Sequence, residues 1–392
     1  MTSHVRIGIN AHLLAFTANY RQAGLSRHIC ELLLRVPVVE PRWHFTAFVG
    51  NGRVPHSFLS AKPGNLRLSA SHLPTSKPPV RIMWEQAALP IATMRERLDL
   101  LHCPVNVRPV LFCACPVVVT VHDLIFLLYP RNFHPAKRLY LTVATGHSVR
   151  RAARVIAVSE ATRKDLIRLL GVKPERVVTV YNGVGEQFRP LDEDVLGEFA
   201  ARQGIKGRVV LYVGTLEPRK NLIMLIRAFR RLTDNPALED VTLLIVGSKG
   251  WYYDEIFAAA DQSGLVESGR VRFLGRVPEE HLPLWYNISS AFVYPSKYEG
   301  FGLPALEAMA CGTPVIASNT SSLPEVLGEA GILLDPDDVG AWAQAMERVL
   351  VDEPLARQMR HKGLRQAGKF SWQRTAQHTA AVYRQVLGWG RT

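Results

Sequence analysis

Short apolar runs alternate with amphipathic stretches along this 392-residue chain, and they do so in two separate series. The first series predicts strands at 5–10, 44–49, 116–121, 154–158 and 177–180, with helices at 26–36, 135–152 and 159–170. Ser159, ahead of Thr162 and Asp165, stands where a helix N-cap belongs. Arg189-Pro190-Leu191 then breaks the pattern. The second series predicts strands at 209–213, 242–246, 271–274, 291–294, 315–317 and 331–334, with helices between them. Alternating strand and helix builds a parallel sheet, because a parallel pair needs a crossover long enough to lie as a helix on the sheet's face. Two series therefore predict an α/β chain of two Rossmann-like domains, 1–190 and 191–370. In the remaining stretch, 371–392, Trp372, Ala376, Val382, Tyr383 and Val386 are the apolar positions of a helix.

Composition narrows the class. A hydrophobic content of 47% is ample for two cores. Val5 to Asn10 alternates like a strand and not like a signal peptide. The longest apolar stretch, Pro116 to Tyr129, is interrupted by His122 and Asp123 and falls short of the roughly 20 residues a bilayer span requires. Five cysteines, an odd count without paired spacing, fit a reducing cytoplasm. His102, Cys103, Cys113 and Cys115 lie close in sequence, but their spacing matches no standard zinc site, so no metal is expected. The net charge of +13 is uneven: residues 1–190 carry 25 Lys+Arg against 10 Asp+Glu, a net +15, and the remainder carries 22 against 24, a net −2. A basic first half fits an anionic membrane or a phosphorylated acceptor. Nothing combines aromatic and basic residues in the manner of a nucleic-acid module, so nucleic acid is not an expected partner.

The chemistry concentrates in Phe292 to Ala317. A strand ending at Tyr294 runs into a loop with Gly300 and Gly302, and a helix follows with Pro304 in its first turn. The N-terminus of that helix aims free N–H groups at the loop, which makes an anion site. Glu299 before the helix and Glu307 on its first turn bracket it, and carboxylates beside an anion site make sense when they accept from hydroxyls. A ligand that carries both phosphate and sugar hydroxyls, a nucleotide sugar, meets both demands. Arg219 and Lys220 follow the end of the strand at 209–213, where ligands of such sheets gather, and can hold a diphosphate and the charge that grows on it. His122 ends a strand of the first domain in the same manner.

With Glu299 and Glu307 spaced eight apart around Gly-Phe-Gly-Leu-Pro, the segment resembles the E-x7-E motif of retaining family 4 glycosyltransferases of the GT-B fold. Val213 to Asn221, Tyr181-Asn182-Gly183-Val184 and Val121-His122-Asp123-Leu124 resemble the family's other motifs and fall in its order over nearly the whole chain. The resemblance implies two Rossmann-like domains that face each other across a cleft, with the 371–392 helix crossing back to the first. It implies Glu307 on the ribose and Glu299 near the transferred sugar. Phe301, Gly302 and Leu303 would offer backbone N–H groups, and Gly275-Arg276-Val277 would lie near the base. Gly24, in a loop before the first helix, would face the donor phosphate, and His122 would meet the sugar. The family's Asp-x-Arg on the first strand is here Asn10-Ala11-His12.

The expectation is thus a metal-independent retaining hexosyltransferase without cofactor. The stretch from His122 to Ser159 resembles bacterial mannosyltransferases of surface-polysaccharide assembly, which implies GDP-mannose as donor and a glycan or lipid-linked acceptor. The enzyme would be cytoplasmic and peripheral on the inner face of the membrane. Two alternatives stand beside it: a nucleotide-sugar epimerase or hydrolase on the same fold, and an NAD-dependent oxidoreductase. For the latter, Gly300 to Ala305 fits G-x-G-x-x-A, but Ser318-Asn319 stands where an acidic ribose ligand belongs. Asp192-Glu193-Asp194 has the D-x-D form yet reads as the acidic start of a helix.

Overall fold

The structure, a computed structural model, describes residues 5–14, 23–52 and 54–388. Among them, the first sheet comprises β1 (Arg6–Ala11), β2 (His44–Val49), β3 (Leu66–Ala70), β4 (Leu100–Cys103), β5 (Val117–Val121), β6 (Arg154–Ala157) and β7 (Val177–Thr179). The second comprises β8 (Val209–Val213), β9 (Thr242–Val246), β10 (Val271–Gly275), β11 (Ala291–Tyr294), β12 (Val315–Ser318) and β13 (Ile332–Leu334). Both are parallel, in the orders β3-β2-β1-β4-β5-β6-β7 and β10-β9-β8-β11-β12-β13. Both orders reverse once, between β1 and β4 and between β8 and β11. At such a reversal the crossovers leave toward opposite faces, and a crevice opens at the carboxyl ends of the strands.

The period of the sequence predicts eleven of these strands to within a residue or two and misses β3 and β4. β3 is a half-exposed edge strand of five residues. β4 is four fully buried residues, Leu-Leu-His-Cys, too short for a period and with a histidine at its third position. β4 nevertheless sits at the centre of its sheet. Central strands such as β5, Val-Val-Val-Thr-Val, are buried throughout because helices cover both faces.

The chain divides into two compact units, residues 1–183 with 371–392 and residues 184–370. In the first unit the closing helix, Trp372–Val386, is capped by Ser371, whose side chain accepts from Arg374 N–H. Ala376, Ala380, Val382 and Tyr383 join Ile29, Leu32, Leu33 and Val36 of the helix Ala23–Val39 in one core cluster. Gly183 makes this docking sterically feasible, since a Cβ there would lie 2.0 Å from Trp372 N. Thr375 Oγ1 donates to Tyr181 O at 2.7 Å, and Tyr383 Oη lies 2.6 Å from His102 Nδ1 on β4.

His102 and His28 are buried, and His122 stands half-buried beside them. His102 Nε2 lies 2.8 Å from Thr120 Oγ1 on β5, and His28 Nδ1 donates to Asn182 Oδ1 at 2.8 Å. The rings of His28 and His122 meet edge to face with centroids 4.7 Å apart. Burial, with the neighbouring His122, holds His102 down at about 3, and burial holds His122 at about 4. The same burial lowers His28 well below its ordinary value.

These shifts fix the sign of a pH effect. Between the ordinary histidine value of 6.5 and about 4, the unfolded chain takes up protons that the folded chain refuses. The contribution to stability is complete above pH 6.5 and is lost as the pH falls toward 4, at up to roughly 1.4 kcal/mol per pH unit for each histidine. The urea midpoint of the first unit is expected to fall across this window and to fall less steeply in His102→Gln. A flat midpoint would show the histidines to be solvated.

Candidate active site

In the second unit the reversal between β8 and β11 gathers charge. β8 leads into a 3₁₀ turn, Pro218–Lys220, that ends at Asn221 in the left-handed region with φ 59°. Asparagine tolerates that conformation, and the helix Leu222–Leu232 starts from it. β11 leads into the loop that ends at Gly302, φ 98°, where the helix Leu303–Ala310 begins. A Cβ at Gly302 would also lie 2.7 Å from Leu323 Cδ2, so the position needs glycine on both counts. Lys297 N–H donates to Arg219 O at 2.9 Å and ties the two loops together.

The side chains tie them further. Lys220 Nζ lies 2.6 Å from Glu299 Oε1 and donates to Tyr294 Oη at 2.8 Å. Arg219 Nη1 lies 3.0 Å from the same Glu299 oxygen and 3.4 Å from Ser296 Oγ. The Arg219 guanidinium also holds Tyr298 O and the Glu217 carboxylate. All four charged residues are buried, Arg219 at 8% and Lys220 at 7% exposure. Two cations and two carboxylates cancel, and that cancellation makes their burial tolerable. Burial pushes the Glu299 carboxyl up, but Lys220 and then Arg219 outweigh it and hold it at about 2. Glu217 is raised by burial, against the pull of Arg219, and Lys220 is lowered by burial, against Glu299. Glu299 is thus an ionised acceptor and a very weak base. Its main chain is fixed as well: its N–H donates to Ser321 Oγ at 2.8 Å, and Ser322 Oγ donates to its carbonyl at 3.0 Å.

The donor inventory separates the two cations. Arg219 directs its guanidinium into both loops and so acts mainly as their clasp. An ammonium has three N–H donors, and Glu299 and Tyr294 take two from Lys220. The third has no hydrogen-bond partner among the described residues. The helix Leu303–Ala310 adds donors. Its first bonds run from Ala305 and Leu306 N–H to Gly302 O, so the N–H groups of Gly302 and Leu303 precede the helical ladder.

Several sequence expectations need correction. Glu307 is the fifth residue of its helix and not in the first turn, and it accepts from Tyr286 Oη at 2.9 Å in a buried setting. Gly24 lies inside the helix Ala23–Val39 and not in a loop before it. Phe301 is buried, with its ring edge-on to Phe370 at 5.8 Å. Gly275, with Arg276 and Val277 after it, ends β10 at the same carboxyl edge of the sheet. That strand is two places from β8, about 10 Å at the usual strand spacing. Asp192 precedes the helix Glu193–Arg202 and, with Glu193 and Asp194, forms its acidic start.

In the first unit His122 follows β5, and its Nε2 donates to Pro104 O at 3.0 Å. Neutral His122 therefore keeps the lone pair on Nδ1. At the carboxyl end of β1, Asn10 Nδ2 donates to Glu85 Oε1 at 3.3 Å, and the His12 ring lies on Trp84 with centroids 3.9 Å apart. Sequence reasoning missed Glu85, and it assigned no role to Glu217, Tyr294, Ser296, Ser321, Ser322 or Tyr286. Glu217 stands inside a stretch singled out for its cations and could have been found there. The serines and tyrosines carry no sequence signal.

Residues 8–188 match the family described as Glycosyltransferase Family 4, and residues 198–366 match that described as Glycosyl transferases group 1. The chain is 36% identical over 273 residues to O-antigen chain mannosyltransferase B of Escherichia coli, covering 68% of this chain and 70% of that one. It is 31% identical to the serotype-specific mannosyltransferase WbdA of Escherichia coli over 69% of this chain, but spans only 33% of that protein. Among solved structures it is similar to sucrose-phosphate synthase from Thermosynechococcus elongatus, with a TM-score of 0.76, 23% identity and coverage of 99% and 100% of the two chains. An Anabaena protein solved with UDP and glucose gives a TM-score of 0.73 at 19% identity, covering 97% of this chain and all (100%) of that one. At such identities the structures speak for the fold.

The closed charge cluster generates a stability prediction. Glu299→Ala leaves Arg219 and Lys220 buried with Glu217 as their one carboxylate, and breaking a buried pair in this way costs about 3–5 kcal/mol. The denaturant midpoint of the second unit should fall accordingly. An unchanged midpoint would mean that water already reaches the cluster.

Proposed function

The chain belongs to the family 4 glycosyltransferases, with the group 1 glycosyl transferase region in its second half, and on that premise we propose that it transfers mannose from GDP-mannose with retention and without a metal ion. Membership in a glycosyltransferase family displaces the dinucleotide reading of Gly300 to Ala305. The observation that carries the proposal is the buried Arg219–Lys220–Glu299 cluster at the reversal of the second sheet, in a chain similar to an O-antigen chain mannosyltransferase.

The diphosphate takes the third N–H of Lys220 and the N–H groups at Gly302 and Leu303. Arg219 holds the two loops in place for it. Glu299 gives Oε1 to the cations and Oε2 to the sugar hydroxyls. Held at about 2, it serves as an acceptor and not as an acid or base at neutral pH. Glu307, oriented by Tyr286, accepts from the ribose, and Gly275 to Val277 lie beside the base. His122 offers the Nδ1 lone pair to a sugar hydroxyl. The bond from the anomeric carbon to the diphosphate oxygen breaks, and the bond to the acceptor oxygen forms on the same face. The acceptor's proton passes to the departing diphosphate, whose growing charge Lys220 stabilises. The acceptor is a glycan or a lipid-linked saccharide, and the basic first unit fits the anionic surface of a membrane.

The test combines donor and product. GDP-mannose is expected to raise the melting temperature most among nucleotide sugars, and the product should keep the donor's anomeric configuration in the presence of EDTA. Lys220→Met, which removes the charge but keeps the stem, should cut turnover about a hundredfold or more, since one preorganised contact is worth about 3 kcal/mol. An inverted product, a requirement for Mn²⁺ or near-normal turnover in Lys220→Met would each overturn a named part of the proposal.

A further inference from the structure

The first unit carries an exposed apolar face that the transfer chemistry does not use. Pro78–Met83, Trp84–Ala88 and Leu89–Arg95 follow one another as a single helical stretch whose middle turn is a wide π turn. Pro90 has no N–H to give back to the preceding turn, which fits a wide turn just before it. Met83, Ala87, Ile91 and Met94 recur at spacings of four, four and three, so they form one stripe. The stripe faces outward: Met83, Ile91 and Met94 are 58%, 46% and 47% exposed.

The segment after β4 lies alongside it. Val110 N–H donates to Gln86 Oε1 at 2.7 Å, and Gln86 Nε2 donates to Arg108 O at 3.2 Å. Just past these ties the segment carries Leu111 and Phe112, at 92% and 51% exposure. Five large apolar side chains are thus exposed on two segments that hydrogen-bond to each other. Isolated exposed apolar residues are ordinary, but a contiguous set is a mark of an interaction site.

Charge selects the occupant. Lys77, Arg95 and Arg97 are exposed at the two ends of the stripe. The acids between Lys77 and Arg97 are Glu85, buried against Asn10, and Glu96, paired with Arg67. The whole first unit holds 27 Lys+Arg against 9 Asp+Glu, a net +18, and the second unit holds 20 against 25, a net −5. A second copy of the chain would bring this basic surface against itself. An anionic bilayer offers apolar depth and negative headgroups together. No helix among the described residues is long and apolar enough to cross a membrane.

We propose that Leu111, Phe112, Met83, Ile91 and Met94 insert into the interface of an anionic phospholipid membrane, with Lys77, Arg95 and Arg97 on its headgroups. The proposal rests on the reading of the first unit as membrane-facing and adds the surface that does the docking.

The full chain is sedimented with vesicles of phosphatidylcholine alone and with vesicles that contain phosphatidylglycerol, at low and physiological salt. Binding to the anionic vesicles, weakened by salt, is expected for the wild type. The variant Leu111→Ser/Phe112→Ser should partition at least about tenfold less, since each side chain loses its apolar transfer. Its melting temperature and its transfer to an acceptor free in solution should be unchanged, because both side chains are exposed. Ile91→Ser/Met94→Ser, on the other element, should show the same loss. Equal vesicle binding by wild type and both variants overturns the docking surface and leaves the membrane reading to charge alone. No binding to either vesicle by the wild type overturns both. A dimer in solution that only the variants lose, without vesicle binding, assigns the face to a second copy and overturns the proposal. None of these outcomes bears on glycosyl transfer, which the acceptor assay reads separately.

Discussion

Arg219 and Lys220 are buried, and Glu217 and Glu299, buried with them, make that tolerable. Two unpaired cations at these depths would each cost several kcal/mol, so the loops after β8 and β11 must come together or both must open to water. The constraint explains the rest of this edge. Arg219 reaches Tyr298 O and Ser296, Lys297 reaches back to Arg219 O, and Ser321 and Ser322 fix Glu299. The parallel sheet supplies the frame, since the reversal of strand order is where two loops can meet without a helix between them.

One consequence concerns the division of labour between neighbours. Arg219 and Lys220 read as an equivalent pair in sequence. In the folded chain a planar guanidinium with five donors suits bridging, and it bridges. A flexible ammonium with a donor to spare suits a ligand. The pKa directions agree: the carboxylate that both cations face is held ionised, and it is therefore suited to accept hydroxyls and not to exchange protons at neutral pH.

Around β4 the first unit solves polar burial without charge. His28, His102 and His122 stay neutral and are joined to Asn182, Thr120, Tyr383 and the Pro104 carbonyl. Through Tyr383 and Thr375 this polar network takes in the closing helix, so a segment 281 positions from β4 in sequence completes the hydrogen bonding of that strand. The Pro104 carbonyl fixes the proton of His122 on Nε2 and leaves the lone pair on Nδ1.

Sequence alone determined the α/β class, most strand positions and the residues that carry charge at the strand ends. Hydrophobic period and glycine punctuation are local, and so is the cap at Ser159. It did not determine β4, whose four residues are too few for a period, or the depth of Glu307 in its helix, since helix starts are set by competing local bonds. Only the tertiary structure decided that Glu217 closes the charge cluster, that Arg219 is a clasp while Lys220 keeps a donor, and that Leu111 and Phe112 lie beside a helix stripe. Each of these depends on which distant atoms meet in a low-dielectric interior or share an exposed face, and no local pattern records that.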